Sequence, residues 1–79
     1  MAYYSYDEEA DALYITLVPD DDARIDRTDE LGPNLHIDLD ENGKPVGVEI
    51  LYRRNGGVDL GPLRDRYGID LKLPFSFAA

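Results

Sequence analysis

The tightest constraint in this chain is a dipeptide, Asn42-Gly43, set between two runs of alternating residues. Before it, Asn34-Leu35-His36-Ile37-Asp38-Leu39-Asp40 puts Leu35, Ile37 and Leu39 on one face of a strand. After it, Val46-Gly47-Val48-Glu49-Ile50 does the same with Val46, Val48 and Ile50. Asn-Gly accepts the positive φ that a two-residue type I′ turn needs, and the twist of that turn suits paired strands. The resulting register sets Leu39 against Val46, Ile37 against Val48 and Leu35 against Ile50. On the other face Asp40 meets Pro45, Asp38 meets Gly47 and His36 meets Glu49. A slip of one residue would mix apolar with polar partners, so pattern and turn demand the same pairing. Pro45 gives up a ladder donor, which a strand start tolerates.

Further strands follow from weaker signals. Leu13-Tyr14-Ile15-Thr16-Leu17 alternates cleanly, and shorter strands are expected over Tyr3–Tyr6 and Ala23–Arg27. Between the first two, Asp7-Glu8-Glu9-Ala10-Asp11-Ala12 suits one helical turn capped by Asp7. Pro19 and Asp20-Asp21-Asp22 read as a solvated turn, and Arg53-Arg54-Asn55-Gly56-Gly57 as a loop. Pro62 fits a first helical position and Gly68 the position just past the end, which brackets a short helix over Leu63–Tyr67. Ile69-Asp70-Leu71-Lys72-Leu73 then alternates like a last strand, stopped by Pro74.

The expected fold is α+β: mainly an antiparallel β-meander of five to six strands with one short C-terminal helix. It forms a single domain over 1–79, with a β-meander core over 3–52 and a helix/strand extension over 53–79. A meander with one apolar face needs that face covered. Either the C-terminal helix and strand cover it or a second copy does, and a homodimer is the expectation. Phe75 and Phe77 would lock either arrangement.

With 79 residues the core is thin, and Cys 0 removes disulfides, thiolate metal sites and cysteine nucleophiles. The stretch Met1-Ala2-Tyr3-Tyr4-Ser5-Tyr6-Asp7 has neither a basic nor an apolar leader segment. The longest apolar run, Leu13–Val18, is far short of the ~20 residues that span a bilayer. Cytoplasmic is the default expectation, with no membrane partner. The formal net charge is -9, and it is uneven: residues 1–43 hold 13 Asp/Glu against 2 Lys/Arg, whereas residues 44–79 hold 4 against 6. Such a surface repels phosphate backbones, so no nucleic-acid partner is expected. It attracts basic proteins, and Asp20, Asp21 and Asp22 are the partner-binding candidates.

Several motifs invite a sharper reading. Asp38-x-Asp40-x-Asn42-Gly43 followed by Glu49 satisfies the EF-hand calcium pattern. The flanks alternate with period 2 instead of forming helices, and Pro45 falls where such loops carry a bridging apolar residue. The hairpin accounts for the same residues better, so no metal site is assigned. His36 is the one histidine. Opposite Glu49 and beside Asp38 it could act as a general base, or simply form a cross-strand charged pair. No nucleophile accompanies it at a recognisable spacing. Carboxylate pairs fall near one another by chance in so acidic a chain, and without a cleft they do not indicate glycosidase chemistry. Gly56, Gly57 and Gly61 make no phosphate cradle, so no cofactor is expected. Tyr3, Tyr4, Tyr6, Tyr14, Tyr52 and Tyr67 suit core or interface packing better than base stacking. Arg53, Arg54, Arg64 and Arg66 would complement the acidic half, within the chain or across a dimer.

Two motifs carry a family resemblance. Tyr6-Asp7-x-Glu9-Ala10-Asp11-Ala12-Leu13-Tyr14-Ile15 and Asp38-Leu39-Asp40-x-x-Gly43-x-x-Val46-Gly47-Val48-Glu49-Ile50-Leu51 together resemble the YuzE-like family of small bacterial proteins, a domain of unknown function. The likeness covers about residues 3–52 and implies a compact β-rich module. It transfers no catalytic residue. Some relatives are encoded beside small toxin-like proteins, so the resemblance also implies an antitoxin-like role. Two function classes therefore stand side by side. One is a non-enzymatic protein-binding or regulatory module that masks a basic partner. The other is a small metal-dependent or acid/base enzyme centred on His36, Asp38 and Glu49.

Overall fold

The structure, a computed structural model, describes residues 3–18, 24–51 and 58–71. It is an antiparallel five-stranded sheet with one short helix. The strands are β1 (Tyr3–Asp7), β2 (Ala12–Thr16), β3 (Arg27–Gly32), β4 (Leu35–Leu39) and β5 (Pro45–Leu51), followed by α1 (Gly61–Tyr67). Their spatial order is β1-β2-β5-β4-β3. The expected α+β architecture is therefore present, with a twist of topology. β3, β4 and β5 form a consecutive meander, and the β1–β2 hairpin joins it through β5, with Leu13 opposite Ile50 and Ile15 opposite Val48. Burial drives that choice: both strands carry apolar residues on the same face, and β5 next to β2 makes that face continuous.

The hairpin at Asn42-Gly43 reaches the expected pairing by a different turn. Leu35 faces Ile50, His36 faces Glu49, Ile37 faces Val48 and Asp38 faces Gly47, as the alternation requires. A type I′ turn would need positive φ at both Asn42 and Gly43, and only Gly43 has it, at 78°. The loop is instead one residue longer: Gly43 N–H donates to the Asp40 carbonyl and Asp40 N–H to the Lys44 carbonyl. Asp40 explains the preference, because its Oδ1 accepts the N–H groups of both Asn42 and Lys44 at 2.9 Å. The longer loop sets Leu39 against Pro45 rather than Val46. A bulge at that point absorbs the extra residue and restores the register beyond it.

Elsewhere the differences have local causes. Asp7 does cap the segment after β1, accepting the N–H groups of Glu9 and Ala10, but residues 8–11 close a hairpin turn instead of a helical one. Asp11 ends that turn at φ 51°, a conformation open to aspartate. The third strand is Arg27–Gly32, whereas Arg24–Asp26 is not strand, and Ala23 lies outside the described residues. As an edge strand β3 needs no apolar alternation, which is why Arg-Thr-Asp-Glu-Leu-Gly gave no signal. The helix is where Pro62 and Gly68 bracket it, and Gly68 at φ 69° closes it, its N–H donating to the Arg64 carbonyl. Ile69–Leu71 form no strand, and Lys72 and Leu73 lie outside the described residues. The alternation there serves packing, since Ile69 and Leu71 rest against the core without a ladder.

The core lies between the sheet and the C-terminal segment. Ile15, Ile37, Leu39, Val48, Ile50 and Leu63 are fully buried, joined by Leu13 and Leu35. Val58, Leu60 and Tyr67 pack against this core, and Tyr67 Oη donates to Asp29 on β3 at 3.2 Å. Thus the apolar face is covered in cis by residues 58–71. The opposite face has no described helix or strand above it.

Candidate functional site

The face that no described helix or strand covers is where polar side chains converge, and the strand registers decide which of them meet. One row runs across all five strands: Ser5 opposite Tyr14, Tyr14 opposite Glu49, Glu49 opposite His36, His36 opposite Glu30. The adjacent row holds Thr16, Gly47, Asp38 and Thr28. Period-2 geometry sends these residues to one side and their apolar neighbours to the other.

Two clusters result. In the first, Asp38 is held from both sides: Tyr14 Oη donates to its Oδ2 at 2.7 Å, and Thr28 Oγ1 donates to its Oδ1. Tyr14 reaches Asp38 diagonally over Gly47, where a Cβ would overlap the tyrosine hydroxyl and ring. Glycine in the middle of β5 is therefore what lets the ring lie flat on the sheet. Burial, then the hydrogen bond to Asp38 and the charges of Asp38 and Glu49, raises the Tyr14 phenol well above its ordinary range.

In the second cluster His36 stands between two carboxylates. Its Nε2 lies 3.7 Å from Glu30 Oε2 and its Nδ1 3.8 Å from Glu49 Oε1. These are ion-pair distances, too long for hydrogen bonds. Nδ1 is buried and has no hydrogen-bond partner.

The sequence-derived residues are thus partly assembled. His36 and Glu49 face each other as the register requires, and Asp38 shares their face but is engaged by Tyr14 and Thr28. Of the calcium-pattern residues, Asp40 spends its Oδ1 on the turn and Glu49 lies across from His36. Asp20, Asp21 and Asp22 lie outside the described residues, as do Arg53 and Arg54. Arg64 and Arg66 belong to the helix side, where Arg64 pairs with Asp65 and Arg66 sits over the Tyr67 ring.

Glu30, Tyr14 and Thr28 were not foreseen as site residues. The first and third sit on a strand that alternation does not reveal. The one available signal for Tyr14 was Gly47, a glycine inside a strand, which marks close approach by another group.

Chemically the face is an array of acceptors. Its strand positions carry Asp7, Glu30, Asp38 and Glu49, with His36 as the sole basic group and no lysine or arginine. The Tyr14 and Thr28 hydroxyls are both committed to Asp38, and none donates to His36 Nδ1. Among the described residues no group of three or more His, Cys, Asp and Glu side chains is arranged to hold a metal. A cleft of about 220 Å³ lies on the other side of the sheet, between the β3–β4 turn and residues 58–62. Its lining includes Leu31, Pro33, Leu35, Val58 and Pro62, with Asp59 the one titratable group among the described lining residues. No described helix is long and apolar enough to cross a membrane.

Comparison with known proteins places this geometry in a family without a known activity. Residues 4–52 match the profile of DUF2283, described as a protein of unknown function, and the chain belongs to that family. The match runs from Tyr4 in β1 to just past β5, so the Tyr14–Asp38–Thr28 and Glu30–His36–Glu49 clusters both lie inside it while α1 lies beyond. No curated protein and no solved structure matches the chain.

Proposed function

We propose that this DUF2283 protein is a non-enzymatic binding or regulatory module whose open sheet face receives a basic protein partner. One observation carries the reading: four carboxylates, Asp7, Glu30, Asp38 and Glu49, share a face that holds no lysine or arginine at its strand positions. A net charge of -9 adds a long-range attraction for cationic surfaces, which acts mainly on the rate of encounter. The Tyr14–Asp38–Thr28 bonds fix one carboxylate in place, so less side-chain freedom is lost when a partner docks. Within this reading the protein is YuzE-like and antitoxin-like, covering the cationic surface of a small toxin-like protein.

The test begins with low-salt affinity purification from the native host, followed by titration of the purified pair. Glu30→Gln with Glu49→Gln should weaken the complex roughly two- to thirtyfold, two exposed charges at ~0.2–1 kcal/mol each. Neutralising Asp20-Asp21-Asp22 should weaken it further, and raising salt should dissociate it. Affinity indifferent to both charge sets and to salt would sink the electrostatic reading.

A second reading is kept alive by the position of His36 between Glu30 and Glu49, an arrangement that can orient a general base. In that case a divalent metal should raise the melting temperature, and His36→Ala should abolish the rise. A metal titration with no thermal shift disposes of the metal-dependent form.

A further inference from the structure

The sheet ends in two edge strands among the described residues, β1 and β3, and they differ in how they would meet another strand. Edge strands expose a row of backbone donors and acceptors, and proteins discourage pairing there with charges, prolines and bulges. β3 carries Arg27, Asp29 and Glu30, and its register with β4 shifts between Glu30 and Gly32. A two-fold pairing of β3 with itself over its full length would set Asp29 against Glu30 of the second copy. β1 has none of these devices. Its five residues, Tyr-Tyr-Ser-Tyr-Asp, pair with β2 without a shift and contain no lysine, arginine, proline or glycine. Pairing β1 with itself about Ser5 sets Tyr4 against Tyr6, and Asp7 against Tyr3, so no acid opposes another. Among the described residues the exposed large apolar side chains are Tyr4, Tyr6 and Ile25, and two of these three lie on this strand.

We propose that two copies of this chain join edge to edge through β1, antiparallel about Ser5, so that their sheets become one. The two-fold axis of such a pairing stands perpendicular to the sheet. It therefore keeps the helix-covered faces of both copies on one side and the open acidic faces on the other. Tyr4 and Tyr6 lie on the helix side, like Ile15 and Leu13 opposite them, and the four rings of the two copies meet there as cross-strand aromatic pairs. The occupant is a second copy rather than a basic strand, because Asp11 beside the seam already accepts the Tyr6 hydroxyl at 2.6 Å, and the strand itself carries just one carboxylate per copy, Asp7. That carboxylate already accepts the N–H groups of Glu9 and Ala10. This inference stands apart from the basic-partner reading, and salt separates the two. Two chains of charge -9 repel, so added salt should tighten the self-association while it loosens a complex with a cationic protein.

The experiment is sedimentation of the full chain across a concentration series, with far-ultraviolet circular dichroism to confirm the fold. The native chain should move from one 8.9 kDa chain to two as concentration rises. Tyr4→Lys with Tyr6→Lys puts lysine opposite lysine at both positions and should leave a folded monomer. Tyr4→Lys with Tyr6→Glu removes the same rings but puts opposite charges across the seam, and the dimer should return. The native chain has no cysteine, so Ser5→Cys provides a single thiol opposite its own copy, within disulfide reach across an antiparallel pair. It should cross-link on mild oxidation, whereas Arg27→Cys on the other edge should not. A native chain that stays monomeric at every concentration overturns the proposal. So does a dimer that survives the double-lysine variant, or one that does not return with opposite charges.

Discussion

On one face of this sheet Ile15, Ile37, Leu39, Val48 and Ile50 are sealed from water beneath Leu63; on the other, Thr28 and Glu30 are exposed while Tyr14, Asp38, His36 and Glu49 are half-buried. The same strands build both, and each residue's neighbour in sequence belongs to the opposite face. The apolar side is held by area removed from water, which is non-directional and tolerates a change of partner. The polar side is held by a few directional bonds, each dependent on one particular atom. One face therefore determines whether the chain folds, while the other can present chemistry at little cost to the fold.

The comparison breaks most visibly at Ile37, which is fully buried at the centre of the sheet between β3 and β5. Ile37→Ala should cost about 2–5 kcal/mol, a large share of the ~5–15 kcal/mol that holds a small domain folded. Chemical denaturation measures it directly. A loss below about 1 kcal/mol would mean that the helix side is loosely packed and that the contrast between the faces is overstated.

A smaller effect, on the other face, is expected at Gly47. A methyl group there overlaps the Tyr14 hydroxyl and ring, so the ring must swing away and release Asp38. A hydrogen bond to a charged group contributes about 1.5–3 kcal/mol, and replacing a strand glycine by alanine returns up to ~1 kcal/mol. Gly47→Ala should therefore destabilise by about 1–2 kcal/mol. Tyr14→Phe removes the same bond, so the double variant should cost clearly less than the two singles added together. Additive losses would show that Gly47 and Tyr14 act independently.

How much of this was legible in the sequence follows from the range of each interaction. The β4–β5 hairpin was readable because a local turn and two alternating runs agree on one register, and the pairing of His36 with Glu49 came with it. The turn itself was misread, because the side chain of Asp40 stabilises a three-residue loop that Asn-Gly alone does not imply. The helix was bracketed by Pro62 and Gly68, whose effects are confined to their own backbone. The placement of β5 beside β2 depends on contacts between distant segments, and alternation says which face a residue takes but not which strand lies next to it. The Tyr14–Asp38 bond needs that adjacency, so it stayed hidden, and Glu30 stayed hidden with the charged edge strand that carries it.

The least disruptive way to sharpen the contrast is to titrate the open face without changing a side chain. Tyr14 is raised above the ordinary phenol range by burial and by its bond to Asp38, so the folded state resists its ionisation. Below about pH 10 the phenol is protonated in both the folded and the unfolded chain, and the bond contributes its full stabilisation. Above that pH the unfolded chain releases the proton while the folded chain keeps it. The unfolded state then binds fewer protons, and stability falls as pH rises. Among the described residues no ionisable side chain is fully buried on the apolar face. The stability difference between the native chain and Tyr14→Phe should accordingly stay flat up to about pH 10 and shrink beyond it, read by denaturant unfolding at each pH. A difference that persists unchanged into strong alkali would mean that Tyr14 ionises as easily in the fold as out of it. The clamp on Asp38 would then hold too weakly to preorganise the acidic face.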